Sequence, residues 1–214
     1  MSDRFLEFTQ TAFGKQLSGL LGLPSPPRLR RATGGFAQQP LFGRAALVGA
    51  APDAQLLRAL LPALRDAGAE LYLTPDHSGL PAVKAAAGAL GMSLKGEPAG
   101  EKFAPDLLVF DASGVASAAA LRSLYDFTQP RIGKLAAHGR VLLLSRAPRA
   151  TDSVGARTAA TALRGFVRSL GKEVGRKGST VNLVEVAASG ESNVAGVLRF
   201  FLSEHSAFVT GQVL

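Results

Sequence analysis

The stretch that most constrains this chain runs from Ala156 to Val186, ARTAATALRGFVRSLGKEVGRKGSTVNLVEV. Leu163, Phe166, Val167, Leu170 and Val174 recur at helical spacing and make one apolar stripe. Arg157, Arg164, Arg168 and Lys172 fall together on a different face. Thr151, Asp152 and Ser153 offer N-cap oxygens just upstream. Arg176 and Lys177 suit the negative end of the helix dipole, and Gly178 is a natural stop. Thr180 to Val186 is then mostly β-branched or apolar, as a strand covered on both faces must be. A long amphipathic helix feeding a buried strand is the repeating unit of an α/β fold with a parallel sheet.

The rest of the chain repeats that alternation. Strands are predicted at Ala45–Gly49, Leu71–Thr74, Met92–Leu94, Leu107–Asp111 and Arg140–Ser145. Helices are predicted at Ala54–Ala67, Leu80–Leu90, Ala118–Leu135 and Val197–Leu202. Leu56, Leu57, Leu60, Leu61 and Leu64 form the core face of the first, where Pro62 predicts a kink or a late start. Pro130 is expected to interrupt the third, with Leu121, Leu124, Tyr125 and Ile132 facing inward. The expected architecture is a three-layer α/β sandwich around a parallel sheet, Rossmann-like or flavodoxin-like in strand order. The thin segment from Leu80 to Phe103 leaves that order open.

The 214 residues suffice for one such domain, placed at 45–214. Residues 1–31 read as an N-terminal helical arm and 32–44 as a linker. Phe5, Phe8, Phe13, Leu17, Leu20 and Leu21 give the arm an apolar side, Gly14 and Gly22 are breaks, and Pro24, Pro26 and Pro27 end it. Helical spacing does not say whether the arm docks on a partner or covers its own core.

The chain has no Cys, which removes disulfides, thiolate metal sites and a Cys nucleophile and fits a reducing cytoplasm. No apolar run approaches the ~20 residues of a membrane span. Asp3, Arg4 and Glu7 interrupt the N-terminus, so it does not read as a signal peptide. The net charge of +8 raises the question of a polyanionic partner. The cations cluster only at Arg28/Arg30/Arg31, Arg146/Arg149 and Arg176/Lys177, without interleaved aromatic residues, and Trp is absent. That pattern argues against nucleic acid, and leaves an acidic carrier protein or coenzyme A phosphates as the anions to consider.

Three places carry the chemical reading. A dinucleotide site needs glycines between the first strand and its helix, so that backbone N–H groups close on the pyrophosphate. Here the turn is Gly49-Ala50-Ala51-Pro52-Asp53-Ala54. Pro52 lacks an N–H and Asp53 brings negative charge, so no cofactor is expected at this turn. Asp111 ends a buried strand, where a carboxylate is either catalytic or a cap for the following turn. Ser145 as a nucleophile needs a base beside it, and His77, His138 and His205 are scattered. No metal-ligand spacing is present.

The run Leu163-Arg-Gly-Phe-Val-Arg-Ser-Leu-Gly-Lys-Glu-Val, with Gly178 and Val181-Asn182 after it, resembles the active-site helix and next strand of short-chain dehydrogenases/reductases. Within them it is most similar to the 3-oxoacyl-[acyl-carrier-protein] reductases, the FabG family. The resemblance implies a catalytic Tyr and, one turn on, a Lys; their positions hold Ala156 and Ala160. The position of the family's catalytic Ser holds Arg146, with Ser145 one residue early. Leu107–Asp111 with Ala112-Ser113-Gly114 resembles the family's Asn-Asn-Ala-Gly strand end, from which Asp111 and Ser113 depart. Ala207–Leu214 resembles its final strand.

The leader Leu23-Pro-Ser-Pro-Pro-Arg-Leu-Arg-Arg resembles that of high-molecular-weight FabG proteins, which carry an extra N-terminal domain ahead of a complete reductase domain. The resemblance therefore implies a non-catalytic assembly domain, with NAD(H) or NADP(H) held by a downstream reductase domain of the same chain. It implies a homodimer built through Leu121, Leu124, Tyr125, Ala156, Ala160 and Gly165, and contact with acyl-carrier protein or coenzyme A thioesters. Two other readings stand beside it: a divergent enzyme using Asp111 or Ser145, and a basic anion-binding module.

Overall fold

A computed structural model describes residues 7–8, 11–20, 27–99 and 103–214. Phe5, Leu21, Gly22, Pro24 and Pro26 of the arm lie outside the described residues. Six parallel strands are β1 Ala45–Ala50, β2 Glu70–Leu73, β3 Lys95–Gly96, β4 Leu107–Asp111, β5 Arg140–Arg146 and β6 Thr180–Val186. Their order is β3-β2-β1-β4-β5-β6. This is the Rossmann order, and the flavodoxin-like alternative is set aside. The helices are α1 Ala12–Leu20, α2 Leu57–Asp66, α3 Leu80–Ala89, α4 Leu121–Ile132, α5 Val154–Val174 and α6 Val194–Phe201.

The apolar stripes sort the helices onto the two faces of the sheet. Leu57, Leu60, Leu61 and Leu64 of α2, Val83 of α3 and Leu198 of α6 pack on one face with Val48, Val109 and Leu142. Leu124 and Phe127 of α4 and Leu163, Val167 and Leu170 of α5 pack on the other with Leu47, Phe110 and Leu143. Neighbouring residues of one strand feed opposite cores, which is why the central strands are apolar throughout.

Helix α5 is built as its sequence reads. Ser153 accepts from the Ala156 N–H at 3.2 Å as N-cap. The last turn tightens to a 3-10 turn at Gly175–Lys177, and Gly178 closes it at φ 69°. Arg164 makes a two-pronged ion pair with Glu185 of β6, both contacts 2.7 Å.

Several boundaries and orientations differ from expectation. Helix α2 starts at Leu57 rather than Ala54, the late start that Pro62 allowed for, and then continues through the proline. Helix α4 likewise runs through Pro130 and ends two residues later. Each ring therefore costs one backbone hydrogen bond without ending its helix. The short strand after α3 is Lys95–Gly96, not Met92–Leu94. Ala207–Leu214 forms no regular strand, but Gly211, Gln212 and Leu214 hydrogen-bond to the backbone of β6 and lie along the sheet edge.

Tyr125 does not face inward; it is 55% exposed. The buried side of α4 is Ser123, Leu124, Phe127, Thr128 and Arg131, which turns position 125 toward solvent. Leu121 and Ile132 are half-buried. Within the arm, Phe8, Phe13 and Leu20 are exposed.

Candidate functional site

In an open parallel sheet, ligands bind beyond the carboxyl ends of the strands, where the strand order reverses. Here that point lies between β1 and β4. Two neighbouring regions of this edge differ: the one above β1 is full, and the one above β4 and β5 is hollow.

Above β1, the first part of the turn, Gly49 to Ala51, is covered by the chain itself, while Pro52, Asp53 and Gln55 stay exposed. Ala50 and Ala51 are 0% exposed. Asp111, paired in register with Ala50, ends β4 with its carboxylate pointing at the start of α2. Its Oδ2 accepts from the Leu56 N–H at 2.7 Å. Its Oδ1 accepts from the Ser113 N–H at 2.9 Å and the Ser113 hydroxyl at 2.6 Å. The Ser113 Oγ in turn accepts from the Gln55 N–H at 2.7 Å. Burial pushes the Asp111 carboxyl above its ordinary range, while the hydrogen bonds from Ser113, Leu56 and Leu57 pull it back.

Gly114 completes the contact. A Cβ there would lie 2.6 Å from the Asp53 carbonyl carbon, so only a glycine lets the two turns touch. From the other side, His77 Nε2 accepts from the Ala50 N–H at 3.3 Å. A Cβ on Gly79 would fall 1.7 Å from the Ala50 oxygen. Gly49 itself faces away from this edge: the Phe127 ring of α4 lies against it, 2.3 Å from where a Cβ would stand. Its missing side chain serves packing rather than a phosphate.

The hollow region is a crevice of about 340 Å³. Ala112 and Ser113 of the turn after β4, Ser145 and Arg146 of β5, and Ala156, Ala160 and Leu163 of α5 line it. So the structure brings Ser145, Arg146, Ala156 and Ala160 together, as the resemblance implies. Gln55 and Val115 also line it and were not singled out in the sequence, while Arg149 and Asp152, which line it too, stood out there only as part of a cation cluster and as a candidate cap. These four come from three connecting segments, and no local spacing marks them as one site.

The charged groups of the crevice are already partnered. Arg146 pairs with Glu191 at 2.5 Å and donates to Gln55 Oε1 at 3.2 Å. Asp152 accepts from the Arg149 N–H at 2.7 Å, and that bond holds its carboxyl below the usual range. The Ser145 Oγ is buried with no hydrogen-bond partner, hence no base. Asp111 is 0% exposed and does not reach the crevice. Among the described residues no group of His, Cys, Asp or Glu is placed to hold a metal, and no helix is long and apolar enough to cross a membrane.

No family model and no curated protein sequence matches this chain. Solved structures do. A short-chain dehydrogenase/reductase from Serratia marcescens superposes with TM-score 0.61 at 17% identity, covering 82% of this chain and 96% of that one. An enoyl-(acyl-carrier-protein) reductase from Anaplasma phagocytophilum, in complex with NAD, gives 0.61 at 17%, covering 85% and 93%. A blue fluorescent protein from a metagenomic library, in complex with NADPH, gives 0.60 at 19%, covering 82% and 97%. The fold is that of the short-chain dehydrogenases/reductases.

The dinucleotide that this reductase-like fold implies does not fit the residues present. The N–H groups of Gln55 and Leu56 that would meet a pyrophosphate already donate to Ser113 and Asp111. Pro52 supplies no N–H, and a second anion above Asp111 would face its charge. Of the positions expected at an interface, Leu124 belongs to the domain's own core, while Tyr125 and Gly165 are exposed.

Proposed function

We propose that this chain is a catalytically silent, reductase-derived assembly domain. In a longer parent it buttresses a downstream domain that reduces 3-oxoacyl thioesters of acyl-carrier protein or coenzyme A with NAD(H) or NADP(H). The observation that carries the silent part is the pair Ala156 and Ala160 lining the crevice. Carbonyl reduction needs a proton donor at the substrate oxygen and a group that lowers its pKa. Two methyl groups supply neither, and the neighbouring Asp152 and Arg146 are tied to Arg149 and Glu191.

Support for assembly comes from the outer surface of the same helices. Val154 and Tyr125 are large apolar groups left exposed. Gly165 is exposed, and a Cβ there would meet nothing within 4 Å. Small residues on a helix face let a second helix approach closely, and exposed apolar side chains on these helices add area to bury.

Sedimentation velocity of Gly165→Leu tests this. Leucine has free space within the domain, so the melting temperature stays that of the parent chain. The prediction is a shift from dimer toward monomer as the added side chain overfills the contact. An unchanged sedimentation coefficient removes α5 from the interface and the assembly role with it.

A further inference from the structure

We infer that the dinucleotide crevice of this fold is sealed by β4 rather than merely stripped of its glycines: the Asp111 carboxylate and Ser113 hydroxyl act as a built-in anion on the α2 N-terminus. The inference concerns the nucleotide side of the sheet and does not depend on the assembly role.

A helix N-terminus presents N–H groups with no partner inside the helix, and a negative group there is favoured. In a nucleotide-binding domain the bound phosphate supplies that group, and the site is half-built until it arrives. Here the supply is internal. Three side-chain oxygens, Asp111 Oδ1 and Oδ2 and Ser113 Oγ, take four hydrogen bonds between 2.6 and 2.9 Å. Two of these come from the approach to α2, at Gln55 and Leu56. The contact joins residues 55 positions apart in sequence, so it fixes the β4 turn onto the β1 turn.

Gly114 against Asp53 leaves no room for a ligand atom between the two turns. Ala51, donating to the Asp111 carbonyl at 2.8 Å, carries the ladder between β1 and β4 beyond their last paired residues. The loop from Thr74 to Gly79 closes the opposite flank through His77. Together they bury Ala50 and Ala51 completely.

Two kinds of loss make different predictions. If the missing glycines alone exclude the cofactor, Pro52→Gly with Asp53→Gly regains it. If β4 is the seal, that double variant stays empty, and only removal of the Asp111 and Ser113 oxygens exposes an anion site. The probes are NADH, followed by its own fluorescence, and inorganic pyrophosphate, followed by thermal melting.

Expected for the natural chain and for Pro52→Gly/Asp53→Gly is no saturable NADH signal at millimolar ligand and no melting shift with pyrophosphate. Asp111→Ala lowers the melting temperature by about 5–15 °C, because buried N–H groups lose their acceptor. Pyrophosphate returns part of that loss in Asp111→Ala and none in the natural chain. Should Asp111→Ala not fold, Ser113→Ala, which frees only the Gln55 N–H, shows the same selective stabilisation on a smaller scale. Saturable NADH binding by the natural chain or by the Pro52/Asp53 variant overturns the inference. So does a pyrophosphate shift absent from the Asp111 and Ser113 variants, or equal in them and the natural chain.

Discussion

The two halves of the sheet's carboxyl edge are built in opposite ways. Above β1 the space is filled: Asp111, Ser113, Gly114, His77 and Gly79 converge until Ala50 and Ala51 are sealed. Above β4 and β5 the edge is open: Ala156 and Ala160 stand beside a crevice of about 340 Å³. The difference shows which contacts stability depends on. The filled side satisfies buried backbone N–H groups, which is costly to undo. The hollow side is lined largely by small apolar groups with solvent beside them, and little folding energy rests on its shape.

That contrast can be broken by substitution on each side. The largest expected effect is Gly114→Ala on the filled side. The added methyl meets the Asp53 backbone rather than a flexible side chain, so the two turns must separate. Chemical denaturation is expected to show a loss of about 2–3 kcal/mol, in the range of overpacking. A loss below about 0.5 kcal/mol, the scale of ordinary surface changes, means the turns are not pressed together.

A smaller effect follows from pH. His77 is buried, its Nδ1 bonded to Thr74 and its Nε2 accepting from Ala50, so the ring must be neutral. Burial holds its pKa below 6.5, with Arg131 adding to the lowering and Asp126 opposing it. With the folded pKa depressed, the unfolded chain binds more protons in acid. The stability contribution is therefore complete above 6.5 and is lost as pH falls through the folded pKa. Melting temperature is expected to drop from pH 7.5 to 5, and His77→Asn flattens that slope. A slope identical in both proteins shows that the ring does not close this flank.

The smallest effect belongs to the hollow side. Ala160→Leu fills crevice space on a helix, and stability is expected to stay within about 0.5 kcal/mol of the parent chain. The double change Ala156→Tyr and Ala160→Lys is expected to fold equally well and still show no reduction of a 3-oxoacyl thioester with NADH. Turnover in that variant contradicts a sealed cofactor side.

Much of this molecule was legible in residue order. Apolar period and length located the helices, and unbroken apolar runs located β4, β5 and β6, because a parallel sheet buries both faces of each strand. Capping chemistry bracketed α5: of the three candidate oxygens at Thr151, Asp152 and Ser153 it is Ser153 that caps the start, and Gly178 closes the 3-10 turn that follows Val174. The gathering of Ser145, Arg146, Ala156 and Ala160 followed from a resemblance to a known helix and strand.

What periodicity misjudged was side and continuity. Tyr125 was expected inward by its apolar ring, but its angular position on α4 points it out. Pro62 was expected to kink or delay its helix, which does start late, at Leu57, whereas Pro130 was expected to interrupt a helix that tertiary packing carries through.

By itself, then, the sequence determined the layered α/β architecture, the small side chains at Ala156 and Ala160, and a turn at Pro52 and Asp53 that brings a ring without an N–H and a negative charge. Tertiary structure alone decided the strand order and the fate of Asp111. A strand-end Asp can cap its own turn, reach a substrate or cap a distant helix, and the residues around it allow all three. Only when β4 is laid beside β1 does its carboxylate come within 2.7 Å of Leu56, because that hydrogen bond joins groups the chain keeps 55 positions apart.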